Sequence, residues 1–197
     1  MNRRKALQKT ASLAGASALT PTLLSLLQSC QSNPALDWKP AILNTDQAQL
    51  VSALVDTLLP KTETPGALEL KVDQFIDLVI ANIFDETGQQ GMLAQLDAFN
   101  AKCQQEKGNL FADLSDEDRA EVLRKEERES PKYNGKIWGT AVGEQAPVGF
   151  YRSFKSLALW GYFSSETIGK EVLSYDPIPG MYQGCIPLED VGNTWSL

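Results

Sequence analysis

Three cysteines and no histidine bound the chemistry this chain can carry. Without histidine there is no Ser–His–Asp or Cys–His nucleophile, no ordinary histidine-based zinc or iron site and no histidine-held haem. Cys30, Cys103 and Cys185 lie far apart and form no C-x-x-C. They are too few for an iron–sulfur cluster or a four-cysteine zinc site. No G-x-G-x-x-G follows a strand pattern, so the turn that cradles a dinucleotide is missing. Carboxylates are plentiful, 25 against 18 basic residues. Two of them in one cleft can hydrolyse a glycosidic bond, but acids this common single out no pair. The acidic balance argues against nucleic acid, because there is no basic stripe to meet phosphates. On this reading the chain holds no catalytic, cofactor-binding or metal-binding residues of its own.

The thiols differ in setting. Cys103 shares a helical stripe with Leu96 and Phe99 and reads as a small buried hydrophobe. Cys185 comes after Gly184 in an irregular stretch with no helical face to bury it. In an oxidising compartment it can pair with Cys103, pair with a cysteine of another subunit, or stay a plain thiol. The residues around it, 159–188, are the densest run of aromatics, Gly and Pro in the chain. Ser164 or Ser165 can cap a helix there, with Glu166 in its first turn, where a negative charge suits the dipole. Gly169 costs a little helix stability and admits a close neighbour. Pro177 and Pro179 forbid further helix, Gly180 turns the chain, and Tyr182, Gly184 and Cys185 fall in an extended tail. A tail with few backbone partners must be held, by its own domain or by a second protein.

The elements that position these residues read as helices. Asn44 with Gln47 predicts a capping box, and Leu50, Val51, Leu54, Val55, Leu58 and Leu59 then share a face until Pro60. A second helix is expected from about Leu70 to Phe84, with Val72, Phe75, Ile76, Val79, Ile80, Ile83 and Phe84 apolar. A third comes after Gly88, with Met92, Leu96, Phe99 and Cys103 on one stripe, and stops near Gly108. Ser115 caps a fourth whose only large apolar residues are Val122 and Leu123, a solvated or partner-facing helix. Residues 131–149 read as loop. Pro147 suits a first turn, before a fifth helix carrying Phe150, Tyr151, Phe154, Leu157, Ala158 and Trp160. No alternating strand pair is present in the pattern, so the fold is expected to be all-α, one irregular helical domain over residues 44–197.

Ahead of the domain stands an export signal. Residues 1–29 combine a basic start, an apolar middle and no acids. Arg3 and Arg4 resemble a twin-arginine signal, a receptor-read address; a general secretory signal is the other reading. Removing this stretch leaves 14 basic against 25 acidic residues, a net charge of −11 instead of −7. Leu27, Ser29 and Cys30 resemble a lipobox, so Cys30 is the expected lipidation site, with cleavage to a free soluble protein as the alternative. Residues 30–43 then form a polar tether.

The order GYF-SSE-IG, LSY, P-PG-Y-GC and IPL resembles the C-terminal signature of the gluconate 2-dehydrogenase subunit 3 family. LVDTLLPKTETPGALELKVDQFID resembles its N-terminal part, with Pro60, Pro65, Gly66, Ala67, Phe75, Ile76 and Asp77 matching. The resemblance spans roughly residues 50–188. It implies a periplasmic accessory subunit that helps a catalytic subunit fold, be exported and assemble. That partner would be an FAD-dependent dehydrogenase of the GMC type acting on a sugar or sugar acid, with a cytochrome c subunit as a candidate third component. Flavin and haem would belong to those partners. Trp160, Tyr162, Glu166, Gly169, Tyr182 and Gly184 are then the residues expected to touch the partner, and Cys185 the one expected to form an intersubunit disulfide. Two rivals are a free-standing lipoprotein that binds carbohydrate or another envelope protein, and a carboxylate-based hydrolase.

Overall fold

Asn44 opens the first helix as its spacing to Gln47 predicts. The computed structural model describes residues 36–131, 148–176, 178, 180 and 185–196. In it the Gln47 amide donates to the Asn44 side chain at 2.9 Å and the Asn44 amide to the Gln47 side chain at 3.1 Å. Each N–H would otherwise lack an intrahelical acceptor. Helix α1, Thr45–Leu58, buries Leu50, Val51, Leu54 and Val55 completely or nearly so. It packs against α2 (Val72–Asn82), α3 (Glu86–Lys107), a 3-10 turn at Phe111–Asp113 and α4 (Asp116–Glu129). The core is therefore centred on α1.

The remaining helices match their apolar periodicity, with three differences at their ends. Helix α2 begins after Lys71, which takes a left-handed conformation (φ 55°) at the end of the 66–71 turn. It stops at Asn82, so Ile83 leaves the apolar face and is 65% exposed. Helix α3 starts ahead of Gly88 because Asp85 is its cap, accepting from the Gly88 amide at 2.8 Å. Its predicted stripe Met92, Leu96, Phe99 and Cys103 is buried, and Gly108 (φ 83°) ends it with the left-handed residue that glycine supplies. Helix α5, Phe150–Phe163, has Gly149 at its cap position; the Pro147 start expected from sequence lies outside the described residues. Tyr151, Phe154, Ala158, Gly161 and Tyr162 form its buried face, whereas Trp160 points away from it and is half exposed. Phe99 packs edge-on to Phe111 and tilted against Phe150, tying α3, the 3-10 turn and α5 together. The described residues contain no strand, only one isolated bridge, Ser174 to Trp195. The all-α expectation holds for them.

Helix α4 has little apolar surface to hold it. Val122 and Leu123 are its buried residues, and ion pairs line its contacts with the neighbouring helices. Lys107 of α3 meets Asp118 at 2.9 Å and Glu121 at 2.6 Å, Lys102 meets Glu126, and Lys125 meets Glu106 at 2.9 Å. On the other side Glu127 takes Arg152 at 2.8 Å and Lys155 at 2.9 Å from α5. Lys155 chiefly holds the Glu127 carboxyl below its usual range, Lys125 does the same to Glu106, and Lys107 to Asp118. Burial first, and Glu127 second, push the Tyr151 hydroxyl up to about 12. Carboxyls depressed on folding stabilise the fold above their unfolded pKa values and lose that contribution as pH falls through the folded ones. The midpoint of thermal unfolding is therefore expected to fall as pH is lowered from 6 towards 3. Glu127→Gln should flatten part of that fall, as followed by circular dichroism. A slope unchanged in the variant would remove Glu127 from the account.

Residues 36–43 belong to the folded body, although the sequence assigns them to the tether. Leu36, Trp38 and Ile42 pack on the core and Leu43 is buried. Their backbone is fixed by Asp77 of α2, whose carboxylate accepts from the amides of Ala41 (2.6 Å), Ile42 (3.2 Å) and Leu43 (3.1 Å).

Candidate functional site: an apolar face and a latched C-terminal segment

Glycine at position 161 lets α5 lie close on α2. An ideal Cβ there would stand 2.6 Å from Phe75 Cδ1 and 3.2 Å from Val72 Cγ1. Over this contact the Phe75 and Trp160 rings meet edge to face, 5.1 Å between centroids. Trp160 and Phe163 share a face of α5 by their three-residue spacing, as Phe75 and Leu78 do on α2. Trp160 is 50%, Phe163 51% and Leu78 53% exposed. Phe75 and Trp160 thus meet across the two helices at the surface, with Leu78 and Phe163 exposed one turn further along each helix. Exposed apolar side chains in contact across two helices make a candidate surface for another molecule. Gly161→Val is expected to cost about 1–3 kcal/mol by overpacking, and to change the near-ultraviolet circular dichroism as Phe75 and Trp160 part. A variant with unchanged stability and spectrum would show that the helices do not need this contact.

Of the other expected partner residues, Tyr162, Glu166 and Gly169 are among those described, and they lie apart from Trp160. Tyr162 is buried on the opposite side of α5, and its hydroxyl donates to the Pro65 carbonyl at 2.9 Å. Its position is that of a structural strut to the 61–70 loop. Ser164 and Ser165 do not cap a new helix: their hydroxyls donate back to the carbonyls of Trp160 and Tyr162. Glu166 sits on the surface and pairs with Lys170 at 2.6 Å, which holds its carboxyl below the usual range. Gly169 is buried in a π-helical turn, Ile168–Val172, and faces the Ser196 hydroxyl, 3.0 Å from where a Cβ would be. The close neighbour is thus a side chain of the chain's own C-terminal end. Tyr182, Gly184 and Cys30 lie outside the described residues.

That C-terminal end is latched. The Ser174 amide donates to Thr194 O at 2.9 Å, and the Ser196 amide returns a bond to Ser174 O at 2.8 Å. The Ser174 hydroxyl donates to Asn193 O at 3.0 Å, and the Asn193 side-chain amide donates to Val172 O at 2.8 Å. Gly192 (φ 72°) turns the chain into this register after the short helix α6, Leu188–Val191. The expected extended tail is corrected to this extent: its far end returns to the helical body by main-chain bonds. Cys185 lies exposed in the segment so closed, and Cys103 is buried; both thiols are free. Burial chiefly raises the Cys103 thiol to about 11, so thiolate is scarce there at neutral pH. Maleimide is expected to label one cysteine of the folded domain, Cys185, and Cys103 only after denaturation. Labelling of both at equal rates would contradict these positions.

Two further features bear on the rival readings. A depression of about 390 Å³ is lined by Lys61, Thr62, Thr64, Pro65, Glu69 and Thr167 among others. Across it Lys61 and Glu69 already satisfy each other at 2.5 Å. The two buried acids of α2 are likewise engaged by the chain itself. Asp73 accepts from the Ser52 hydroxyl at 2.7 Å, and Asp77 holds three amides. Neither is placed to act on a bound sugar. Among the described residues no group of three Cys, Asp or Glu side chains converges as a metal site, and no helix is long and apolar enough to cross a membrane.

The partnership behind Trp160 is absent from the sequence pattern, which assigns Phe75 to the core and does not single out Leu78 or Phe163. The signal lies in GYF, where a helix that buries Gly161 and Tyr162 must turn Trp160 and Phe163 outward.

Against curated proteins and solved structures the chain has no significant match. A family model described as gluconate 2-dehydrogenase subunit 3 matches residues 45–180. The match runs from the first residue of α1 into the segment that follows the π-turn, and so includes helices α1 to α5 with Phe75 and Trp160. The chain belongs to the gluconate 2-dehydrogenase subunit 3 family.

Proposed function

We propose that this chain is the non-catalytic small subunit of a periplasmic FAD-dependent dehydrogenase acting on a sugar or sugar acid. The observation that carries the reading is the apolar face formed by Trp160, Phe163, Phe75 and Leu78, in a chain whose family is defined as a dehydrogenase subunit. A face of this kind is stabilised when a partner covers it. FAD would reside in the partner, a GMC-type catalytic subunit, with a cytochrome c subunit as electron acceptor. The twin-arginine-like start would carry the folded pair across the membrane together, and acylated Cys30 would tether it to a bacterial membrane. Exposed Cys185 would form the covalent link to the catalytic subunit.

Affinity purification of the full chain from its native cell tests this. The expected result is a flavin-containing dehydrogenase recovered in stoichiometric amount, with gluconate or a related sugar oxidised by the complex and not by the chain alone. A non-reducing gel should show Cys185-dependent pairing. Recovery of the chain alone as a monomer would overturn the proposal. The second reading, a lipoprotein that binds carbohydrate, would use the depression at Lys61 and Thr64, where the Lys61–Glu69 pair would have to open to a ligand. Saturable binding of gluconate or glucose by the isolated chain in calorimetry would favour it.

A further inference from the structure

Helix α4 is held differently from the helices around it. Its uncharged residues are Ala120, Val122 and Leu123, and the last two are its buried ones. Helix α1 buries Leu50, Val51, Leu54 and Val55, and α2 buries Val72, Ile76, Val79 and Ile80. What α4 lacks in apolar burial is replaced by charged clasps along its length. Near its start Arg119 reaches back to the carbonyls of Phe111 (3.2 Å) and Ala112. At its end Arg152 of α5 donates to the carbonyls of Glu127 (2.7 Å) and Ser130 (3.4 Å). Between these, Lys102 and Lys107 of α3 and Lys155 of α5 pair with its carboxylates, and its own Lys125 pairs with Glu106. Those four lysine side chains are 25–40% exposed, so water and salt reach the pairs.

We infer that α4 is a strap that opens as a unit while the other helices stay folded, and that ionic strength sets how readily it opens. Salt acts differently on the two kinds of contact. Screening shortens the reach of a charge from about 10 Å at 0.1 M salt to about 3 Å at 1 M. Hydrocarbon burial is not weakened by the same ions. Each partly exposed pair contributes little, so α4 depends on several of them acting together. Salt therefore loosens α4 and spares α1 and α2. A segment with few buried apolar contacts opens at lower free energy than the core, and elements that move on binding are drawn from that class. Opening bares Val122 and Leu123, 7% and 5% exposed when closed, and uncovers the part of the core cluster they join. The strap is a property of the chain by itself, independent of the accessory-subunit reading.

The test is hydrogen exchange of the full chain, followed by mass spectrometry of its peptides, each referred to the same peptide unfolded. In about 0.05 M sodium chloride the α4 peptide should exchange about tenfold faster than those of α1 and α2. In about 1 M the ratio should rise to about 100-fold, with α1 and α2 unchanged. Lys107→Gln with Lys155→Gln should bring the fast exchange of α4 to low salt and remove most of its salt dependence. Lys107→Arg with Lys155→Arg keeps the charges and should restore that dependence. Exchange of α4 in step with α1 and α2 at both salts overturns the inference, because the helix then leaves only when the whole fold does. Fast exchange that salt does not change also overturns it, since Val122 and Leu123 would then set the opening without the ion pairs. Acceleration of α1 and α2 along with α4 overturns it too, as salt would be acting on the whole body. The salt series on the natural chain decides the matter if the glutamine variant does not fold.

Discussion

Asp77→Ala is expected to lower the unfolding free energy by about 3–5 kcal/mol, the largest loss from any single side chain outside the apolar core. Asp77 is 2% exposed and is the common acceptor for three consecutive amides, those of Ala41, Ile42 and Leu43. A concave run of N–H groups around a carboxylate is an anion nest, and its bonds are strengthened by the acceptor's charge. Alanine leaves those donors facing an empty, largely dry site. Each buried donor left unpaired costs roughly 1–3 kcal/mol, reduced where it can turn to water. Ala41 is exposed and can do so; Leu43 is buried and cannot. The loss should spread to the segment that Asp77 fixes, loosening Leu36, Trp38 and Ile42 from the core. Urea denaturation is the measurement, with Asp77→Asn as the comparison. Asparagine keeps the shape but offers one carbonyl oxygen where two carboxylate oxygens stood, and turns an N–H donor towards N–H donors. Its loss should therefore fall between zero and that of alanine. A loss below about 1 kcal/mol for alanine would mean the segment finds other acceptors.

Asp77 also shows where sequence reading stops. Its neighbours Val72, Ile76, Val79 and Ile80 announce a buried helix through their period alone, and the structure buries all four. The period says nothing of an acid on the same helix that turns back to hold residues 41–43, because the bond joins positions 34–36 apart. Short-range signals are legible for the same reason that long-range ones are not. The Asn44–Gln47 box, the Ser115 cap and the Gly108 stop are each determined within four residues. The expected Ser164–Ser165 cap fails because serine hydroxyls donate as well as accept. Here they satisfy the last carbonyls of α5 rather than the first amides of a new helix. The latch lies beyond pattern reading altogether, since Ser174 and Asn193 meet only after the chain has turned at Gly192. The aromatics at the candidate site are visible as a group in the sequence. Sorting Tyr162 inward and Trp160 outward requires knowing which face of α5 meets α2.

Trp160→Asp together with Phe163→Asp is expected to reduce recovery of the dehydrogenase by roughly 100-fold or more, while leaving the isolated chain folded. A central aromatic anchor typically carries about 2–4 kcal/mol of an interface, and the two losses need not add. A carboxylate in each place adds the cost of drying a charge against an apolar surface. The folded chain itself should tolerate the change, because both side chains are about half exposed and Phe75 remains over Gly161. Loss of the Phe75–Trp160 edge contact is worth about 0.5–1.5 kcal/mol, too little to unfold a domain of this size. Tyr162→Phe is the control on the same helix. It deletes the bond to Pro65 O, should cost about 1 kcal/mol of stability, and should leave recovery of the partner unchanged. The comparison separates docking from folding: one variant alters the outward face at little cost to the body, and the other does the reverse. If the double variant recovers the partner as well as the natural chain does, the apolar face is not where the dehydrogenase sits. If recovery instead falls in proportion to thermal stability across both variants, α5 supports the fold and nothing more.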